Sequence, residues 1–185
     1  MKQIVLSSCF ALMAITGFAQ AKTTTSATVA FDATTPLDAL PKAENKTVVA
    51  MLNTKSGEVG FEAAVNNFAF TNPTIQQHFN EERWLNSGKF PLFTFAGKIT
   101  DLKNVNFKKD GTYTVNVEGT LTIKDKSNPV TTTATLAVKG GSIQSSSNFT
   151  FKLSDYGINV GSQGGNEKIT ENIKLIWYYT TKCIE

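Results

Sequence analysis

The sequence predicts an all-β protein, an eight-stranded antiparallel barrel with a short helical insertion around residues 72–88. Apolar residues recur at every second position in one segment after another, which is the period of a strand with one face on a core. Short joints rich in turn-forming residues separate these segments and indicate hairpins. Eight such strands hide both sheet edges only by closing into a barrel, and a two-sheet sandwich is the alternative.

The alternation places the strands in chain order. It is clearest from residue 112 to 124, where Tyr113, Val115 and Val117 begin an apolar series that alternates with polar residues. The other segments with this period lie around residues 29–31, 47–53, 59–65, 93–99, 130–138, 149–153 and 173–179. The predicted hairpin joints are residues 55–57, 109–111, 127–129 and 140–141. Polar connections are expected at residues 36–46 and 157–167, and the threonine-rich stretch 23–26 is the one whose composition indicates disorder.

One stretch, Phe68 to Phe95, interrupts the succession of strands. Asn72 can cap the first free amides of a helix, and Pro73 suits the first helical position because its missing N–H would have no partner there. Asn80 is a second candidate cap, and Gly88 is predicted to end the helical insertion.

The apolar residues of this segment cannot join a strand ladder. Ile75 and Phe79 lie four residues apart, so they share one face of the helix, and Trp84 and Leu85 follow. All four must bury against the barrel end or the adjoining strand rims. We therefore expect the segment to lie over or beside one mouth of the barrel and to control access to its interior.

The first residues have the pattern of an export signal. They carry one lysine, an apolar core and the small-residue sequence Ala19-Gln20-Ala21, which predicts a cleaved signal peptide of residues 1–21. Because the apolar run is shorter than the ~20 residues of a membrane span, no transmembrane segment is expected after cleavage. Residues 22–185 then form a single domain, in which Cys183 has no partner for a disulfide.

The chain lacks the residue groupings that catalysis or metal binding requires. His78 is the one histidine, and no serine lies in a G-x-S-x-G turn, so we expect no enzyme, no metal site and no cofactor. His78 is interpreted as a structural imidazole. The formal net charge is +3 and the basic residues are scattered, which does not suggest nucleic-acid binding.

The aromatic content is the remaining functional signal. Phenylalanine occurs thirteen times, mostly at inward-facing positions. An eight-stranded barrel has an interior that either is filled by side chains or holds one small ligand. The same residues serve both arrangements, and the sequence leaves open whether two barrels pair as a homodimer.

Several motifs of the interrupting segment together resemble the YceI-like domain, closest to its secreted variety. They are His78-Phe79-Asn80-Glu81, then an aromatic-Leu pair, Lys89-Phe90-Pro91, and Phe93-x-Phe95-x-Gly97. Residues 31–37 and 57–70 also fit, and the resemblance spans residues 27–181. The Asp-x-x-His-Ser opening strand of better-known members is missing. The resemblance implies a lipocalin-like barrel that holds a polyisoprenoid or similar long-chain lipid, quinone-like or polyprenyl, in the bacterial periplasm or outside the cell.

The residues expected to line the lipid tunnel share inward-facing strand positions or belong to the interrupting segment. They are Phe68, Phe70, Phe79, Trp84, Phe93, Phe95, Tyr113, Val115, Val117, Leu136, Phe149, Phe151, Trp177 and Tyr179. The alternative is an extracytoplasmic structural or stress-related protein that binds a partner, has a solid core and takes no ligand.

Overall fold

The computed structural model describes residues 21–32, 42–158 and 172–181. The strands are β1 (Ala21–Asp32), β2 (Lys42–Asn53), β3 (Glu58–Ala64), β4 (Ala69–Phe70), β5 (Leu92–Ile99), β6 (Gly111–Ile123), β7 (Lys126–Lys139), β8 (Ser142–Lys152) and β9 (Asn172–Thr181). One α-helix, α1 (Pro73–Asn80), lies between β4 and β5. Single 3₁₀ turns occupy Val65–Asn67, Leu102–Asn104 and Leu153–Tyr156.

The eight long strands form a closed antiparallel ring. Each pairs with its neighbours in the order β1, β2, β3, β5, β6, β7, β8, β9, and β1 pairs with both β2 and β9. The two-residue strand β4 adds to the free part of β2, where Ala43 pairs with Phe70. This topology confirms the predicted up-and-down barrel rather than the sandwich.

The burial of alternate residues explains why these segments are strands. In β8 the odd-numbered residues from Ile143 to Phe151 are buried and the even-numbered residues are exposed. In β6, Val115, Val117 and Leu121 are buried and their neighbours are less so. Burial of one face of each strand builds the core inside the ring, because burying apolar area is the main favourable term in folding.

The hairpin turns agree with the sequence in one place and correct it in another. Gly140 and Gly141 both have positive φ, at 53° and 75°, as a tight two-residue hairpin requires. The joint predicted at 127–129 is wrong, since Ile123 pairs with Lys126 and the turn is Lys124-Asp125. Residues 127–129 lie inside β7.

Two polar stretches are more regular than their composition indicates. The threonine-rich residues 23–26 belong to β1, where Thr23 pairs with Met51 and Thr24 with Ala50. The expected connection at 36–46 is wrong for its second half, because β2 begins at Lys42. In both places pairing with a neighbouring strand satisfies the backbone and outweighs the weak local preference. The predicted loop at 157–167 lies, from residue 159 onward, outside the described residues.

The helix begins where the sequence predicts and ends earlier. The side chain of Asn72 accepts a hydrogen bond from the Thr74 amide at 2.9 Å, which confirms the N-cap. Asn80 does not start a second helical turn. Its side-chain amide donates to the Gln76 carbonyl at 2.8 Å, so it closes α1, and the residues from 81 onward form turns.

Candidate functional site

An apolar pocket lies at the end of the barrel where β1, β6 and β8 finish and β5 begins. The nine residues that line it come from these strand ends, from the loop after β8 and from the segment that follows β4. They are Phe31, Phe79, Trp84, Leu85, Phe93, Ile123, Phe151, Leu153 and Ile158. All nine are apolar or aromatic. The space between them is about 10 Å³, roughly what one water molecule occupies.

Residues 71–91, which we call the cap, cover this end of the barrel. Phe79 of α1 is buried, and its ring centroid lies 5.7 Å from that of Phe31 and 5.8 Å from that of Phe68. Phe70 approaches more closely, at 4.8 Å. Aromatic pairs at these distances stabilise a contact beyond the area they bury. The helix is therefore fixed to the rim of the barrel through Phe79.

The turns after α1 are held by backbone hydrogen bonds to the end of the helix. The amides of Leu85 and Ser87 donate to the carbonyls of Phe79 and Asn80, at 3.3 and 3.2 Å. Asn86, with φ 48°, supplies the left-handed residue that turns the chain back. This geometry places Leu85 in the pocket wall.

A lysine joins the cap to the β6–β7 turn. The Lys124 ammonium donates to the Trp84 carbonyl at 3.0 Å and lies 5.9 Å from the centre of the Phe90 ring. The Lys89 ammonium lies 5.2 Å from the same ring. Trp84 is thereby held beside the pocket with part of its ring exposed.

An aromatic layer crosses the barrel below the pocket. The Phe61 and Phe95 rings stack with centroids 5.7 Å apart and planes 20° apart, and Phe149 lies 6.4 Å from Phe95. Phe61 is on β3 and Phe149 on β8, which stand on opposite sides of the eight-stranded ring. The layer therefore separates the pocket from the lower half of the interior.

Two inward-facing glycines make room for this layer. Gly97 and Gly119 pair across β5 and β6. A Cβ at Gly119 would lie 2.6 Å from Cζ of Phe95, and one at Gly97 would lie 2.8 Å from the same atom. The ring of Phe95 thus rests directly on the backbone of its own sheet.

Eleven of the predicted lining residues lie in or behind the pocket, in the aromatic layer, or beyond that layer. Phe79, Trp84, Phe93 and Phe151 meet in the pocket, and Phe68 and Phe70 pack behind Phe79. Phe95 and Phe149 belong to the aromatic layer, and Val115, Val117 and Leu136 are buried on the far side of it. Whether any of them touches a lipid stays a prediction.

Three other predicted residues lie elsewhere. The Tyr113 hydroxyl lies 3.2 Å from the carbonyl oxygens of both Asn106 and Lys109 and can donate its one hydrogen to either, so this residue holds a loop at the uncapped end. Trp177 and Tyr179 belong to β9, where the backbone register pairs them with Ser147 and Ser145. Their side chains lie outside what the structure describes.

Five pocket residues are absent from the predicted lining, and one of them, Leu85, was expected only to bury against the barrel end. Phe31 and Ile123 occupy inward-facing positions at the ends of their strands, so the alternation of inward and outward residues could have identified them. Leu153 continues the parity of β8 beyond its end. Ile158 follows Gly157, whose φ of 67° turns the chain so that Ile158 lies in the pocket wall. No local sequence pattern predicts this turn.

Polar groups contribute little to this end of the barrel. Within the described ranges, no cluster of His, Cys, Asp or Glu could hold a metal ion. His78 is half-buried in α1 and its carbonyl accepts from the Glu81 amide at 3.2 Å. Burial raises the pKa of the Tyr156 hydroxyl above its ordinary value of 10.0, although a hydrogen bond with Asn128 acts in the opposite direction. Over the same ranges, the one α-helix is too short to span a bilayer.

Comparison with known proteins agrees with this architecture. The fold is similar to a polyisoprenoid binding domain from Saccharophagus degradans implicated in plant cell wall breakdown, with a TM-score of 0.74 and 10% identity over 88% of this chain and 98% of that one. It is also similar to BcnA of Burkholderia cenocepacia, with a TM-score of 0.64 and 17% identity over 88% and 96% of the two chains. A Campylobacter jejuni YceI protein mutant with a monobromobimane guest gives 0.60 and 16% over 98% and 99%.

These identities are low enough that the solved structures establish the fold alone. No curated protein matches the sequence significantly. A model of the YceI-like domain matches residues 13–179, which is most of the chain. The chain therefore belongs to the YceI-like domain family, as the motifs around His78 and Phe93 predict.

Proposed function

We propose that this protein holds a polyisoprenoid or similar long-chain lipid, quinone-like or polyprenyl, in the bacterial periplasm or outside the cell. The observation that carries the proposal is the capped pocket, whose nine lining residues are all apolar. A hydrocarbon chain needs only such surface, since each CH₂ that it buries contributes roughly 0.8 kcal/mol. The fold shared with a domain described as polyisoprenoid-binding supports the same ligand class.

Binding requires the pocket to open, because about 10 Å³ does not hold a chain. Two of its walls are less completely buried than the rest. Trp84 is only half-buried, and Phe151 is 8% exposed, more than the other described core residues except Phe149 at 9%. If these two rings are displaced, the lipid chain can take their place and make the contacts that they made with the other pocket residues.

The role we propose is binding without catalysis. None of the nine residues that line the pocket is a nucleophile, an acid or a metal ligand. Its walls can exclude water from the hydrocarbon while a polar end of the lipid stays outside the barrel.

The test is to purify the protein from its native host, extract it with organic solvent and identify the lipid by mass spectrometry. We expect a long-chain lipid in the wild type and much less in Trp84→Gln, which makes one pocket wall polar. The matched control is Phe107→Gln, a half-buried aromatic residue that packs on the core away from the pocket. Absence of lipid from the wild type, together with no binding of added polyprenyl or quinone ligands, would contradict the proposal.

A second candidate function is a solid-core protein that binds a partner on its surface. The observation that favours it is the aromatic layer of Phe61, Phe95 and Phe149, which fills the middle of the barrel. In that case Phe151→Ala costs ~3 to 5 kcal/mol of unfolding free energy, as ordinary core truncations do. In the lipid-binding protein the cost is smaller and lipid affinity falls instead.

A further inference from the structure

The barrel wall is incomplete between β7 and β8. Pairing of these strands runs from Lys139↔Ser142 to Ala134↔Ser147 and stops there, although β7 continues back to Lys126 and β8 continues to Lys152. On its other side β7 is paired with β6 along its whole outer half. Among the described residues, positions 126–133 and 148–152 therefore face each other without a ladder. We call this stretch the seam.

Side chains replace the missing ladder. The Ser147 hydroxyl donates to the Thr133 carbonyl at 2.7 Å, and the Thr132 hydroxyl donates to the Asn148 carbonyl at 3.0 Å. Higher up, the Asn128 amide donates to the Asp155 carbonyl at 2.9 Å. A few side-chain bonds of this kind, each worth about 1 kcal/mol net, hold two strands less firmly than a continuous ladder does.

The sequence contains a reason for the seam. Pro129 lies in the unpaired part of β7 and has no backbone N–H, and proline is confined to edges for that reason. Its position leaves the β6–β7 ladder intact, with Thr120 opposite Pro129. The donor that a partner strand would need on the β8 side is therefore missing.

The seam leads to the pocket. Phe149 and Phe151 stand on the part of β8 that does not pair with β7. They are the most exposed of the described apolar core residues, at 9% and 8%, whereas the others are at 5% or less. Val130 faces the same region from β7 and is half-buried. Phe151 also lines the pocket under the cap. The core is thus closest to solvent along the seam.

The cap is held more firmly than the seam. Phe79 alone contacts three aromatic rings, and the Lys124 ammonium fastens the Trp84 carbonyl from the β6–β7 turn. Opening the cap would expose these buried rings. Opening the seam breaks a few hydrogen bonds whose donors and acceptors can bond to water instead.

We propose that the seam is a lateral portal, the site at which the hydrocarbon chain of the lipid crosses the barrel wall between Val130 and the Phe149–Phe151 pair. This inference rests on the proposed lipid binding and changes the expected route of access, from under the cap to through the wall. A chain that enters sideways leaves its polar head group outside the barrel, at the outer side of the seam. Any head group that avoids clashing with the outer wall is then tolerated.

The experiment measures release of a dansyl-labelled polyprenyl probe into excess phospholipid vesicles by stopped-flow fluorescence. Thr132→Val combined with Ser147→Ala removes two of the three side-chain bonds and is expected to release the probe about tenfold faster. Pro129→Thr restores a backbone donor and is expected to slow release about threefold. Ser145→Ala is the matched control, because Ser145 and Ser147 are both 4% exposed and Ser145 lies within the intact ladder.

Amide hydrogen exchange of the ligand-free protein gives a readout that does not depend on the lipid. Residues 126–133 and 148–152 are expected to exchange faster than the β5–β6 ladder, and faster still in the double variant. Wild-type release rates in the seam variants, with acceleration by Trp84→Ala instead, would overturn the portal and assign the route to the cap. A wild type that binds no probe would overturn the proposed function and the portal with it.

Discussion

At the scale of single residues, the interior is shaped by two glycines and one phenylalanine. Gly119→Ala would place a Cβ 2.6 Å from both the Phe95 ring and the Ala96 carbonyl oxygen. We expect this variant to lose ~1 to 3 kcal/mol of unfolding free energy, as overpacked cores do. Urea denaturation measures the loss.

The control for this prediction is Gly88→Ala. A Cβ at Gly88 meets no atom within 4 Å, so its unfolding free energy should stay close to that of the wild type. Adding Phe95→Leu to Gly119→Ala should recover part of the loss, because a smaller side chain leaves room for the methyl group. Equal stability of the two alanine variants would contradict the close approach of Phe95 to the sheet.

A second residue-scale prediction concerns Tyr156. Its folded-state pKa is raised, chiefly by burial, so its contribution to stability is fully present below the unfolded pKa of 10.0 and is lost as pH rises through the folded pKa. The stability difference between wild type and Tyr156→Phe should therefore be constant up to about pH 9 and shrink above pH 10. Denaturation midpoints of both proteins across this range test it, and a constant difference would refute it.

At the scale of elements, the cap depends on one side chain of α1. Phe79 is 2% exposed and contacts three aromatic rings, so Phe79→Ala should cost ~3 to 5 kcal/mol. Ile75 lies one turn earlier on the same helix and is half-buried, so Ile75→Ala should cost clearly less. Chemical denaturation compares the two, and hydrogen exchange shows whether the loss is confined to residues 71–91. Similar losses would mean that the helix face is not set by Phe79.

The elements that the sequence predicted correctly are those with strong local signals. Alternation over a dozen residues identifies β6, and Asn72-Pro73 identifies the start of α1, because both signals act within a few neighbouring residues. Pro129 caused the wrong prediction of the β6–β7 turn, because proline is common in turns. A strand tolerates it here because this part of β7 does not pair with β8, which the sequence does not show. The same holds for the pocket, where Ile158 arrives through a turn that no periodicity marks.

At the scale of the whole molecule, the barrel is a tube divided by its aromatic layer. The pocket occupies the capped end, and the layer of Phe61, Phe95 and Phe149 lies across the tube below it. A lipid chain that occupies the capped end therefore meets a floor. The length of chain that the protein can bury is set by the distance from the rim to that floor, and not by the full length of the strands.

This division predicts how affinity depends on chain length. For a series of alkyl quinones, each added CH₂ should tighten binding about fourfold, the equivalent of ~0.8 kcal/mol, until the chain reaches the aromatic layer, after which further CH₂ groups add nothing. Phe149→Ala opens the floor on the β8 side and should move the plateau to longer chains. Phe107→Ala, which truncates an aromatic residue outside the layer, should leave the plateau where it is. Titrations followed by quenching of tryptophan fluorescence give the affinities. A wild type whose affinity keeps rising with chain length past the plateau of Phe149→Ala would show that the layer is no barrier, because its rings would then move aside for the chain.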